Sequence, residues 1–312
     1  MKILFLDQNK WIDLARVEND KSTSQNVIKL YHTLIDCVQA GKIIIPLTMT
    51  LIVETSKKNN FRQRQELART QFKLSKGLVF RSRRSRIFYE AQIALRKAFK
   101  DTEASLPSKW FISENFVQAF DQFDDPIHSQ NKITNITARD FNLYEFLISQ
   151  DEAERHQGIT EFSKYADKSV LSIENRRKMW EAASREMQNR AYSALLFNDH
   201  QDLFLAALTS LGHTFSELKE LGNSALQALI YDVPTLNVER ALVAKKESQD
   251  RVIKPNDLRD MYSFCAAIPY ADWLIGENTF VSLAKQAKLG TTYGVQITSK
   301  LEDLSAFLDK YL

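Results

Sequence analysis

Met1-Lys2-Ile3-Leu4-Phe5-Leu6-Asp7 is a short apolar run closed by an acid, and Lys42-Ile43-Ile44-Ile45-Pro46 is a second, β-branched run closed by proline. Runs of this length that do not alternate with polar residues read as strands buried on both faces of a parallel sheet. Between them Val27, Leu30, Tyr31, Leu34, Ile35 and Val38 recur at the spacing of one helix face, and Gly41 sits just past the end. Strand, helix and strand in that order predict a right-handed βαβ unit.

The same grammar returns after Pro234. The pattern predicts a helix from Asn237 to Glu247, then one capped by Asn256 or Asp257 and ended by Pro269. Trp273-Leu274-Ile275 reads as a strand, Thr279 to Ala287 as a helix, Tyr293 to Thr298 as a strand and Leu301 to Tyr311 as a closing helix. The middle is helical in pattern, with breaks near Pro107, Pro126, Gly158 and Gly212. Segments such as Arg176 to Ala183 and Leu203 to Leu208 carry strong helix formers, and no strand-like run interrupts them. The prediction is an α/β fold. Residues 1–60 plus 235–312 form a discontinuous domain with a small parallel sheet of four or five strands flanked by helices, interrupted by an all-helical insertion at 61–234.

Composition narrows the chemistry. The 312 residues are 44% hydrophobic and 26% charged, enough for a sizeable core. Eight Gly and six Pro are well below average usage of roughly 7% and 5%, which disfavours turn-rich all-β architectures. The closest glycines, Gly290 and Gly294, cannot build a phosphate-cradling glycine-rich loop. The five histidines show no metal-ligand spacing, no G-x-S-x-G frames a serine, and Cys37 and Cys265 read as buried free thiols. No apolar run approaches the roughly 18 residues of a membrane span, and the first residues turn polar too early for a signal peptide, so a cytoplasmic protein is expected.

Charge is unevenly spread. Residues 61–100 hold twelve Lys and Arg against Glu66 and Glu90, a local +10 that leaves −7 for the rest of a chain of net charge +3. In its densest part Arg81, Arg83, Arg84 and Arg86 are interleaved with Ser82, Ser85 and Phe80, a composition suited to backbone phosphates and base stacking. The competing reading is a solvated helix face, or pairing with the acidic stretch from Asp101 to Glu161.

Four acids fall where an α/β sheet builds its sites. Asp7 follows the first strand, Glu54 lies in the helix after the second, Asp260 near the start of a late helix and Glu277 just after Trp273-Leu274-Ile275. Carboxylates gathered there repel one another, and a hard divalent cation, Mg²⁺ or Mn²⁺, relieves that repulsion through oxygen ligation. Singly, Asp7 could end a strand, Asp260 could serve as a capping acid with Asp257, and Glu277 could be a loop acid. Glu54, on a pattern otherwise buried, needs a partner. Asp272 reads as a turn residue before its strand or as a fifth carboxylate.

Leu4-Phe5-Leu6-Asp7-Gln8-Asn9, Ile52-Val53-Glu54-Thr55, Asn256-Asp257-Leu258-Arg259-Asp260 and Ala267 to Asn278 together resemble a bacterial PIN-like nuclease, over the first 60 and last 75 residues or so. The resemblance implies a metal-dependent nuclease, an endoribonuclease foremost, with Asp7, Glu54, Asp260 and Glu277 as catalytic metal ligands for Mg²⁺ or Mn²⁺ and RNA as the favoured partner. Asn9 would orient a ligand or substrate, and Arg81, Arg83, Arg84 and Arg86 would bind substrate phosphates. Many family members have Thr or Ser followed by Asp where this chain has Gly276-Glu277, and a minimal family member lacks a long helical insertion. Two other outcomes fit the same residues: a catalytically silent PIN-like module that recruits a partner through its insertion, or a toxin or defence nuclease restrained by an inhibitor protein.

Overall fold

In the computed structural model the described residues are 1–21, 24–102, 106–127, 142–151, 170–180, 182–249 and 252–310. They include six strands: β1 (Lys2–Leu6), β2 (Ile43–Ile44), β3 (Val79–Phe80), β4 (Ile112–Ser113), β5 (Trp273–Ile275) and β6 (Gln296–Thr298). Leu4, Phe5 and Leu6 are wholly buried, because β1 lies inside a four-stranded sheet of order β2-β1-β5-β6. All its pairings are parallel, with Lys2 opposite Ile43, Leu6 opposite Ile275 and Ile275 opposite Thr298. The two ends of the chain thus join side by side in one sheet, through β1 and β5, and every strand of it leaves by the same edge.

The helices that follow these strands are α1 (Gln8–Glu18), α2 (Gln25–Gln39), α3 (Met49–Ser56) and α4 (Phe61–Ser75). Those between α4 and the late strands are α5 (Arg83–Phe99), α6 (Leu143–Ile148), α7 (170–179), α8 (Arg185–Asp199), α9 (Gln201–Ser210), α10 (Phe215–Glu220) and α11 (Asn223–Tyr231). The last are α12 (Pro234–Glu247), α13 (Pro255–Ala267), α14 (Asn278–Gln286), α15 (Leu289–Tyr293) and α16 (Asp303–Leu308). Helix α2 buries Leu30, Tyr31, Leu34, Cys37 and Val38, the stripe its spacing predicts. Helix α4, the first element of the predicted insertion, packs along α1, while α5 packs on α9, α11 and α12. One hydrophobic core runs through sheet and insertion alike. Cys37 and Cys265 are buried and free, and among the described residues no helix is long and apolar enough to cross a membrane.

The insertion is not all-helical. Strands β3 and β4 pair antiparallel, Val79 with Ser113 and Phe80 with Ile112. Lys76 and Gly77, both left-handed at φ 53 and 76, stop α4 and turn the chain into this strand. The amide of Leu47 donates to the Leu78 carbonyl (2.9 Å) and that of Phe80 to the Leu47 carbonyl (2.8 Å), tying the small ladder to the segment after β2. A two-residue strand whose partner lies far along the chain leaves no period in the sequence. The predicted strand from Tyr293 is likewise shorter: Leu289–Tyr293 is helical, Gly294 turns left-handed at φ 70, and β6 begins at Gln296. The predicted break at Gly158, and Glu161, Glu181 and Tyr311, lie outside the described residues.

Candidate active site

Parallel pairing of β1 with β5 brings Asp7 and Glu277 to one edge. Leu6 is in register with Ile275, and the Asp7 amide donates to the Ile275 carbonyl at 2.9 Å. Asp7 then caps α1 and Glu277 caps α14, neither side chain being spent on the cap itself. Between Ile275 and Glu277 there is room only for glycine: a Cβ on Gly276 would lie 2.5 Å from Cζ of Phe264. Close approach of α13 therefore accounts for glycine at this position.

Helices α3 and α13 bring the other two acids. They pack on each other, and the hydroxyls of Thr48, Thr50 and Ser263 form a buried cluster across the contact, Thr48 to Thr50 at 2.8 Å and Thr48 to Ser263 at 3.1 Å. Helix α13 starts at Pro255 and its N-cap is Lys254, which corrects the expected cap at Asn256 or Asp257. Proline at the first helical position is pre-set for that place. Asp257 is the acid of the first turn: it accepts the Lys254 amide (2.9 Å) and pairs with Lys246 (3.0 Å). Asp260, nearly one turn further on, has no capping duty. A buried amide ring holds the remaining elements in place: Gln8 Nε2 donates to Thr55 Oγ1 (3.0 Å), Thr55 donates to Gln71 Oε1 (3.0 Å) and Gln71 donates back to Gln8 (3.4 Å). Gln8 follows Asp7 and Thr55 follows Glu54, so the ring sets one acid relative to the other.

The electrostatics tie the four acids together. Burial pushes the Asp7 carboxyl above its ordinary range; the Gln8 amide pulls it down, Glu277 pushes it up and Lys10 pulls it down. Burial and then Asp7 push Glu54 up to about 7, against Arg259, Lys57 and Lys58. Asp260 is pushed up to about 9 by burial, Asp7, a side-chain hydrogen bond to Glu277, and the charges of Glu277 and Glu54. Acids from four distant segments thus sense one another, and each of these three holds its proton more firmly than an isolated carboxyl group does.

Lys10, Lys57, Lys58 and Arg259 form a cationic rim that reading the sequence did not single out. Burial and Arg259 push Lys57 down. The signal was present: Lys10 follows Asp7 by three residues, Lys57 and Lys58 follow Glu54 by three and four, and Arg259 adjoins Asp260. Asn9 is exposed in the first turn of α1, two residues from Asp7. Asp272 stands apart, before β5 at the other edge of the sheet, where it pairs with Lys2 (2.6 Å) and accepts the Ile3 amide (2.8 Å).

No family model, curated protein or solved structure matches the chain. The site is therefore read from its own donors. They are all carboxylate oxygens, a set that suits Mg²⁺ or Mn²⁺ and not zinc. The raised proton affinity of Asp7, Glu54 and Asp260 is the mark of negative charge in want of a counter-charge. Among the described residues no three His, Cys, Asp or Glu side chains are drawn together into a ready-made cage, and Asp260 and Glu277 instead share a hydrogen bond. The donor chemistry fits the ion, with a proton supplying part of the charge that the ion would bring.

The arginine segment departs from expectation. Arg81 donates Nε to Asp124 at 3.0 Å and forks onto its second oxygen. Arg83 pairs with Glu239, and Arg84 with Asp125 (2.8 Å) and Asp202 (2.5 Å). Arg86, 3% exposed, donates to the carbonyls of Arg81 (3.1 Å) and Cys265 (3.2 Å). These four do not form an open stripe along a strand's backbone. Two of them pair with the acidic stretch after Asp101, because helix α5 is inside the molecule and its cations need internal partners.

Proposed function

We propose that this chain is a metal-dependent nuclease with a PIN-like site that hydrolyses phosphodiester bonds, an endoribonuclease acting on RNA. The observation that carries the reading is the Asp260 carboxyl pushed up to about 9 with Asp7, Glu277 and Glu54 among its causes: uncompensated acids at the carboxyl edge of a parallel sheet. Asp7, Glu54, Asp260 and Glu277 would hold Mg²⁺ or Mn²⁺. When bound, the ion supplies a water of lowered pKa and neutralises charge developing on the phosphate. Lys10, Lys57, Lys58 and Arg259 draw the backbone phosphates to the rim and offset the repulsion between the acids and an anionic strand. Asn9 offers its amide beside Asp7 to substrate. Burial of Asp7 excludes bulk water and strengthens every charge interaction there.

A second reading, a catalytically silent module, is favoured by one observation, the Asp260 to Glu277 hydrogen bond in place of a preformed cage. The discriminating experiment incubates the protein with Mn²⁺ and internally labelled single-stranded RNA or DNA. Internal RNA fragments that vanish with chelator and with Glu277→Gln are the expected outcome. Intact RNA and DNA at every Mn²⁺ concentration would leave the silent module standing.

A further inference from the structure

We propose that a cavity of about 710 Å³ on the far side of α13 from the carboxylates binds a nucleoside phosphate. Its size is that of a small-molecule site. Leu258, Met261 and Tyr262 of α13 and Thr48 and Thr50 at the start of α3 form one wall. At 3.6 residues per turn Asp260 faces away from that wall, so this site is separate from the carboxylate cluster and does not depend on the nuclease reading.

Three features define the ligand. The first is cationic: Arg83, Arg84 and Arg176 line the cavity beside Asp121, Asp199 and Glu239, and Arg83 and Arg176 are held by Glu239 and Glu247, which leaves Arg84 as the cation for a phosphate. Arg84 is held by Asp125 and by Asp202, and the Asp202 side chain is 48% exposed. An exposed pair of that kind contributes little, so a phosphate can take its place on the guanidinium. The second is aromatic. Arg83 lies over the Tyr262 ring at 5.5 Å and Arg176 over the Tyr192 ring at 4.9 Å, and both rings border the cavity beside Phe120 and Leu196. A heteroaromatic base packs on such a wall.

The third is an orphan. His200 is 7% exposed, lines the cavity, and its Nδ1 has no hydrogen-bond partner. Burial, then Arg83 and Arg84, push its pKa well below the ordinary histidine value, so the ring is neutral and each nitrogen seeks a donor or an acceptor. That nitrogen is closed off as the ring stands, and a turn of the ring toward a base edge or a ribose hydroxyl in the cavity would give it the partner it lacks. Phosphate, planar base and hydrogen-bonding edge occur together in a nucleotide.

The test is calorimetric titration of the full chain in chelator. The probes are adenosine and guanosine 5′-monophosphate, with inorganic phosphate, the free nucleosides and a 5′-phosphorylated RNA hexamer for comparison. A mononucleotide should bind and the free nucleosides should bind more weakly. His200→Ala should weaken binding by about 10- to 100-fold, and Asp202→Asn, which frees Arg84 at an exposed position, should tighten it by up to about fivefold. Asp7→Asn should leave it unchanged. The proposal fails if no mononucleotide binds wild type or Asp202→Asn at millimolar concentration, or if only the hexamer binds. It fails equally if His200→Ala and Asp202→Asn leave the affinity where it was, or if inorganic phosphate matches the nucleotides.

Discussion

Asp7→Asn is expected to abolish metal-dependent cleavage while leaving the protein folded and, without metal, at least as stable as wild type. Asparagine keeps the shape of a side chain that is only 7% exposed and removes its charge. Asp7 is among the causes that raise both Glu54 and Asp260, so both should relax toward ordinary carboxylate behaviour. The sign of the pH effect follows. Carboxyls pushed up to about 7 and about 9 when folded, against ordinary values of 4.5 and 3.8, bind more protons in the native than in the unfolded chain between those values. The stability these two groups contribute without metal is therefore fully present at low pH and is lost as pH rises through that window, by at most about 1.4 kcal/mol per pH unit for each proton. Melting curves in chelator across this range should slope downward for wild type and less steeply for Asp7→Asn. An unchanged cleavage rate would remove Asp7 from the site.

The other large effect is on stability alone. Arg86→Ala should lower the free energy of unfolding by about 3–5 kcal/mol, as removal of the cation that balances a buried acid does. Glu90, 1% exposed, accepts the amide (2.8 Å) and hydroxyl (2.7 Å) of Thr235 and the hydroxyl of Tyr270, and Arg86 is the cation acting on it. Burial pushes Arg86 down and Glu90 up, and the charge of each opposes that shift in the other. Loss of the guanidinium strands the acid and two carbonyls at the joint of α5, α12 and α13. Urea unfolding measures this directly. Normal stability with weakened RNA binding would restore Arg86 to the role of a phosphate contact.

The difference between Asp7 and Arg86 is also where sequence reading reaches its limit. Leu4-Phe5-Leu6 and Trp273-Leu274-Ile275 are legible as buried strands because short unbroken apolar runs bounded by polar or turn residues suit a parallel sheet covered on both faces, and an acid one or two positions after each is placed by the strand itself. Glu54 and Asp260 follow from helix starts, even though the true cap of α13 is Lys254. The arginines are different. Whether a cation faces solvent or a carboxylate depends on partners 41 to 156 residues away, and no local pattern encodes them. The same distance hid the β3 and β4 ladder. The rim of Lys10, Lys57, Lys58 and Arg259 was legible in principle, since helical spacing alone sets each cation beside an acid.

Titration of Mn²⁺ into the full chain near neutral pH, read at once for bound metal and for protons released in buffers of different ionisation heat, bears most directly on the four-carboxylate site. Asp260 holds a proton at that pH and shares a hydrogen bond with Glu277, so an ion taken up by these acids must expel protons. Saturable binding with proton release, lost in Asp7→Asn and in Asp260→Asn, is the expected result; Mn²⁺ that binds without releasing protons, binds equally to both variants, or does not bind at millimolar concentration would contradict it.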